Sequence, residues 1–147
     1  MSTSEIAPLL SARVPTVTAS RFKQYAKKRA RSVNEVLSTA IEEWLRQEEF
    51  EYIEFRGTVD GTRIAYMKNS RLQVYSVIKV AKLYNLNIEK IVEYWPNRPK
   101  EWVQAALNYY EVYKDEIDYQ IAESEKEDSF EILKRKFPQM NLVELSK

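Results

Sequence analysis

Residues 12–45 read ARVPTVTASRFKQYAKKRARSVNEVLSTAIEEWL, and their reading decides what the amino-terminal third of the chain can be. Leu9 to Val14 fits a short strand, with Leu10, Ala12 and Val14 on one face and Ser11 and Arg13 on the other, ended by Pro15. Thr18 can cap a helix to about Ala30 whose narrow apolar stripe is Phe22, Tyr25 and Ala26. Ser32 and Glu35 then form an S-x-x-E capping box. Behind it Val33, Val36, Leu37, Ala40, Ile41, Trp44 and Leu45 make a strong helical stripe to about Glu48. A lone strand has no hydrogen-bonding mate, and one helix pair is too small to bury its own core. Both needs are met if two copies pair.

Working outward, the composition removes whole classes of chemistry. The 147 residues include no cysteine and no histidine. Disulfide scaffolds, thiolate or imidazole zinc sites, and Ser-His-Asp or Cys-His catalysis therefore lack their reagents. Two glycines, neither in a phosphate-binding loop, argue against nucleotide-binding α/β enzymes. No nucleophile, base and orienting group stand together, so an enzyme is not expected and no cofactor is expected. Residues 1–8, MSTSEIAP, read as a loose arm without the basic start of a signal peptide. Without an apolar stretch long enough to span a bilayer, the expectation is a cytoplasmic protein with no membrane partner.

Net charge is +1, but the signs are segregated. Seven basic residues and no acid lie between Arg13 and Arg31, and six basic residues face only Asp60 between Arg56 and Lys82. From Glu101 to Asp128 nine acids face Lys114 and Lys126. Such blocks either give the molecule opposed faces, one attractive to phosphate, or are simply the solvated sides of helices.

After Phe50, two β-prone runs, residues 52–55 and 63–67, flank Asp60-Gly61, a strong hairpin signal. Three helices follow: Leu72 to Tyr84, a short one capped by Asn87 and stopped by Pro96, and one from Pro99 that can reach Ile121. A hairpin with three helices, the middle one short, has a helix-turn-helix-like layout. Asn97, Arg98, Lys100 and Gln104 could read bases there, but the Trp and Tyr content of the third helix fits packing and self-association better. Asp115, Glu116 and Asp118 diverge around a helix, so a solvated face is expected and no metal site. From Glu123 the run ESEKED reads as a charged linker, followed by a short helix capped by Asp128 and ended by Pro138. Phe130, Leu133 and Phe137 share one side of it, and Met140 and Leu142 follow. With Lys134, Arg135 and Lys136 between these anchors, the tail suits docking on another protein; folding back on its own domain is the equal alternative.

Residues 12–45 resemble a ribbon-helix-helix DNA-binding module of bacterial repressors and antitoxins, with Ala30 where that family usually has glycine. GTRI at 61–64, NIEKIVEYWP, EWVQAALNYY and DEID resemble, in that order, a domain family grouped with VapB-type antitoxins, which tends to carry glycine near Leu86. The resemblance implies a mainly α fold. Residues 1–50 would be a ribbon-helix-helix-like DNA-binding and dimerisation module, 51–122 a hairpin plus helix-turn-helix-like domain, and 123–147 a linker and partner-binding tail. It implies that Ser11 and Arg13 touch base edges, that Ser32, Val33 and Asn34 present backbone N–H groups to a phosphate, and that Lys27, Lys28, Arg29 and Arg31 add charge. It further implies an antitoxin that represses its own operon as a homodimer or higher oligomer on operator DNA. Its tail, through Phe130, Leu133, Lys134, Arg135, Phe137, Met140 and Leu142, would inhibit a PIN-like ribonuclease toxin. A stand-alone regulator without a toxin and a structural oligomerisation adaptor are the other readings.

Overall fold

The computed structural model describes residues 8–138, so nearly all of the expected arm, Met140 and Leu142 lie outside the described residues. Six helices and one hairpin are present among them: α1 (Thr16–Lys28), α2 (Val33–Glu49), β1 (Ile53–Gly57), β2 (Arg63–Met67), α3 (Val74–Leu83), α4 (Ile88–Tyr94), α5 (Lys100–Val112) and α6 (Lys114–Lys136). The fold is mainly helical, as expected. The chain divides into two compact units between Glu42 and Glu43, inside α2.

The first unit holds α1 and the start of α2. Residues 8–15 form neither helix nor strand, so the expected strand from Leu9 to Val14 is absent. A ribbon strand draws its hydrogen bonds from a second strand, and a single chain supplies none. Helix α1 begins at Thr16 rather than behind a Thr18 cap, because the Pro15 carbonyl already accepts the Ala19 N–H at 3.0 Å. Its end is a left-handed cap. The Arg31 N–H bonds the Ala26 carbonyl at 3.0 Å and the Ala30 N–H bonds that of Lys27 at 3.1 Å, with Ala30 at φ 52°. At the start of α2 the Ser32 Oγ accepts the Glu35 N–H at 3.1 Å, as the box requires. The return bond differs, since the Ser32 hydroxyl itself donates to the Glu35 carboxylate at 3.1 Å.

The second unit carries the core. The strands pair antiparallel from Ile53↔Met67 to Gly57↔Arg63 around a loop held by the Asp60 carboxylate, which accepts from the Thr58 hydroxyl and from the Thr62 N–H at 3.0 Å. Gly61 takes φ 88° in that loop, where a side chain would be strained. Alternation places Ile53, Ala65 and Met67 inward, against Val74, Val77, Ile78 and Ala81 of α3. Ile91, Trp102, Val103, Ala106, Tyr109, Ile117 and Ile121 complete the core. Asn87 caps α4 by accepting the Lys90 N–H at 3.3 Å, and Pro99 precedes α5.

Beyond α5 the structure departs from expectation. The third helix of the domain does not run on to Ile121; it breaks at Tyr113 (φ −117°, ψ 44°), whose ring lies against Phe50 and Tyr109. Residues 123–128 are not a linker but part of α6, and no separate helix starts at Asp128. Glu and Lys are good helix formers, and the stretch is tied by Lys126–Glu123 at 3.1 Å and Lys79–Asp128 at 3.2 Å.

Candidate nucleic-acid interface

The basic block of the first unit folds into one place. Lys27 and Lys28 end α1, Arg29 to Ser32 make the turn, and Val33 and Asn34 open α2. All of these residues are exposed. Cations suit the carbonyl end of α1, which accounts locally for Lys27 and Lys28. Arg29 stacks over Tyr25, 5.1 Å from the ring centre. Arg13, Arg21, Lys23, Lys27 and Lys28 make no ion pair among the described residues.

The helix start offers fewer donors than its sequence implies. The Ser32 hydroxyl and the Glu35 N–H are committed to each other, and the Val36 N–H bonds the Ser32 carbonyl at 3.1 Å. The Val33 and Asn34 N–H groups remain for an anion. Glu35 also brings a carboxylate to this end, 3.7 Å from Arg31, and offsets one cation. Ser11 and Arg13 stand on the irregular segment before α1, both exposed, and are not held by any element.

The same unit has an uncovered apolar surface. Only Ala26 and Val36 are buried among the described residues up to Glu42, while Leu9, Leu10, Val14, Val17, Val33 and Leu37 are exposed.

Most of the other basic block is engaged, and Arg56 pairs with Glu54. Arg63 pairs with Glu43 at 2.8 Å, Lys79 with Asp128, and Lys82 with Asp118 at 2.6 Å. The Lys82 ammonium, backed by the Tyr110 hydroxyl, holds the Asp118 carboxyl below its ordinary value against the opposing effect of burial, and Asp118 in turn raises Lys82. Glu116 is also engaged. Arg46 donates to it at 2.9 and 3.1 Å and to the Tyr109 hydroxyl at 2.7 Å, and lies 3.7 Å from the centre of the Tyr113 ring. Burial, then the Glu116 charge, pushes the Tyr109 phenol well above the usual tyrosine range. Sequence reasoning missed this cluster; the available signal was an arginine directly after the apolar stripe of α2. Trp102, Tyr109 and Tyr110 are buried, which makes them packing residues. Asn97, Lys100 and Gln104 are exposed, and Arg98 lies over Trp102 at 5.1 Å.

At the end of α6, Leu133, Lys134, Arg135, Lys136 and Phe137 are all exposed. Position 130 lies within α6, while the side chain of Phe130 falls outside the described residues. No helix among the described residues is long and apolar enough to cross a membrane. Compared with protein-family models, with curated proteins and with solved structures, the chain matched none.

Proposed function

We propose that this protein is a DNA-binding regulator of the antitoxin type. The observation that carries the reading is the exposed turn from Lys27 to Asn34, where Lys27, Lys28 and Arg29, with Arg31 offset in part by Glu35, adjoin two unbonded N–H groups at the start of α2. Phosphate contacts of this kind position a protein on DNA without reading sequence. The uncovered apolar surface of the same unit supports pairing of two copies, which would bring two segments carrying Ser11 and Arg13 side by side. Paired strands can enter the major groove, where arginine pairs bidentately with guanine. In this reading the end of α6 engages a PIN-like ribonuclease, with Leu133 and Phe137 as apolar anchors and Arg135 directed at carboxylates.

The test combines titration on DNA with co-purification. Lys27→Glu with Lys28→Glu should weaken binding to every sequence and flatten the salt dependence by about one unit of slope per lost phosphate contact. Arg13→Ala should instead erode sequence preference, by about 1–3 kcal/mol for one bidentate contact. Unchanged DNA binding in both variants rejects the assignment. Co-purification of the neighbouring operon's product with the full chain, and not with a chain ended after Asp128, tests the tail. A stand-alone regulator would retain no partner in either form.

A further inference from the structure

The two sides of α6 differ in kind. Ile117 and Ile121 are buried, and Ser124 and Asp128 both meet Lys79, so this side packs on its own unit. A helix turns about 100° per residue, which sets Tyr119, Ala122, Lys126, Leu133 and Phe137 along the opposite side. Tyr119, Leu133 and Phe137 are 66%, 46% and 49% exposed. Among the described residues, that unit leaves this stripe uncovered.

The charges say what fits there. Four acids and Lys126 lie within residues 123–128, and three bases follow at 134–136. Glu127 and Lys134 border the stripe on one edge, Glu125 and Lys136 on the other. Parallel copies would set acid against acid. Antiparallel copies set Glu127 against Lys134 of the second copy, and the same register sets Glu125 against Lys136 on the other edge. Phe137 then lies beside the methylene stem of Lys126 of the second copy.

We infer that the outward side of α6 pairs antiparallel with the same segment of a second copy of this chain. The paired stretch is about four turns, so the contact is modest in area and sensitive to salt. This goes beyond the proposed function, since it gives the tail an occupant when no partner protein is present. A partner that docks on Leu133 and Phe137 has to displace that copy.

The chain has no cysteine, so introduced thiols are its only ones. Glu127→Cys with Lys134→Cys in one full-length chain tests the pairing without any partner or DNA. Two turns, about 10.5 Å, separate the two positions within a helix, too far for an internal disulfide. Under a glutathione redox buffer the double variant should give a disulfide-linked dimer, several-fold more than either single variant, and less of it at high salt. Equal dimer from Lys134→Cys alone would mean parallel or random contact and overturn the inference. So would a double variant that stays monomeric on a non-reducing gel. Both positions are exposed, and circular dichroism of the oxidised and reduced forms verifies that α6 is intact.

Discussion

Ala30 occupies a backbone position that glycine fills at least cost. Its φ of 52° is set by the two bonds that close α1, and the methyl group crowds the carbonyl there. The end of α3 uses the same device. The Leu86 N–H bonds the Ala81 carbonyl at 2.9 Å and the Asn85 N–H bonds that of Lys82 at 3.2 Å, with Asn85 at φ 53° and Leu86 at φ 59°. Asparagine tolerates this conformation and leucine does so poorly. Ala30 and Leu86 thus both hold left-handed backbone that glycine would adopt at lower cost. Ala30→Gly should stabilise the α1–α2 turn by about 0.5–1 kcal/mol, the relief of strain less the added freedom of the unfolded chain. Denaturant titration of the full-length protein measures it; a loss of stability would mean that the methyl group makes a packing contact worth more than the strain.

Elements are held together by a few charged groups at their ends. Arg46, near the end of α2, serves a hydroxyl 63 residues away and a carboxylate 70 residues away. Removing it leaves the buried Tyr109 hydroxyl without a donor and the half-buried Glu116 carboxylate with the Tyr109 O–H but no countercharge from Arg46, so Arg46→Ala should cost about 2–3 kcal/mol. Glu116→Gln in the same chain should recover part of that loss in a double-mutant cycle. The Lys82–Asp118 pair joins α3 to α6 and sets a pH window. Asp118 is lowered on folding, so its contribution is present above the ordinary value of 3.8 and is lost as pH falls through the folded value. Lys82 is raised, so its contribution is present below 10.5 and is lost as pH climbs through the folded value. Asp118→Asn should therefore be less stable than the parent by a constant amount between those limits, and the gap should close beyond each. Both side chains are partly exposed, so the amount is small and salt-dependent. Melting curves across pH check it.

At the scale of the molecule, the near-neutral total conceals two units of opposite sign. Residues 1–42 carry seven basic and three acidic residues, a charge of +4, and residues 43–147 carry sixteen and nineteen, a charge of −3. In the second unit several basic residues are spent on internal pairs, whereas most of those in the first have none among the described residues. Among the described residues of the first unit only two apolar side chains are buried, too few to sustain it, so its stability has to come from added contacts. Leu37→Asp places a charge on the exposed stripe of α2 and should shift the protein toward monomer in sedimentation velocity, with α3 to α6 still folded. A variant that associates as before would remove self-pairing of the first unit from the account.

How much was legible follows from how local each signal is. The Ser32 cap of α2, the Asn87 cap of α4 and the Asp60-Gly61 hairpin each join residues within a few positions and stand where the sequence alone placed them. The return bond of the Ser32–Glu35 box, in contrast, is replaced by a hydroxyl-to-carboxylate bond, and Pro99 precedes α5 instead of being its first residue. The sequence alone likewise determined the absence of thiol and imidazole chemistry and the clustering of cations near the α1–α2 turn. Whether ESEKED is a linker or a helix was decided by Lys79 and by the burial of Ile117 and Ile121 just before it, contacts that no short window of sequence contains. The break at Tyr113 was decided by Phe50, Tyr109 and Arg46 gathering around one ring. The segment from Leu9 to Val14 shows the converse, since alternation of side chains is written in the chain but a strand's hydrogen bonds come from a neighbour. Caps, turns and composition are properties of adjacent residues; partners, breaks and helix ends beyond a cap are settled by what packs against them.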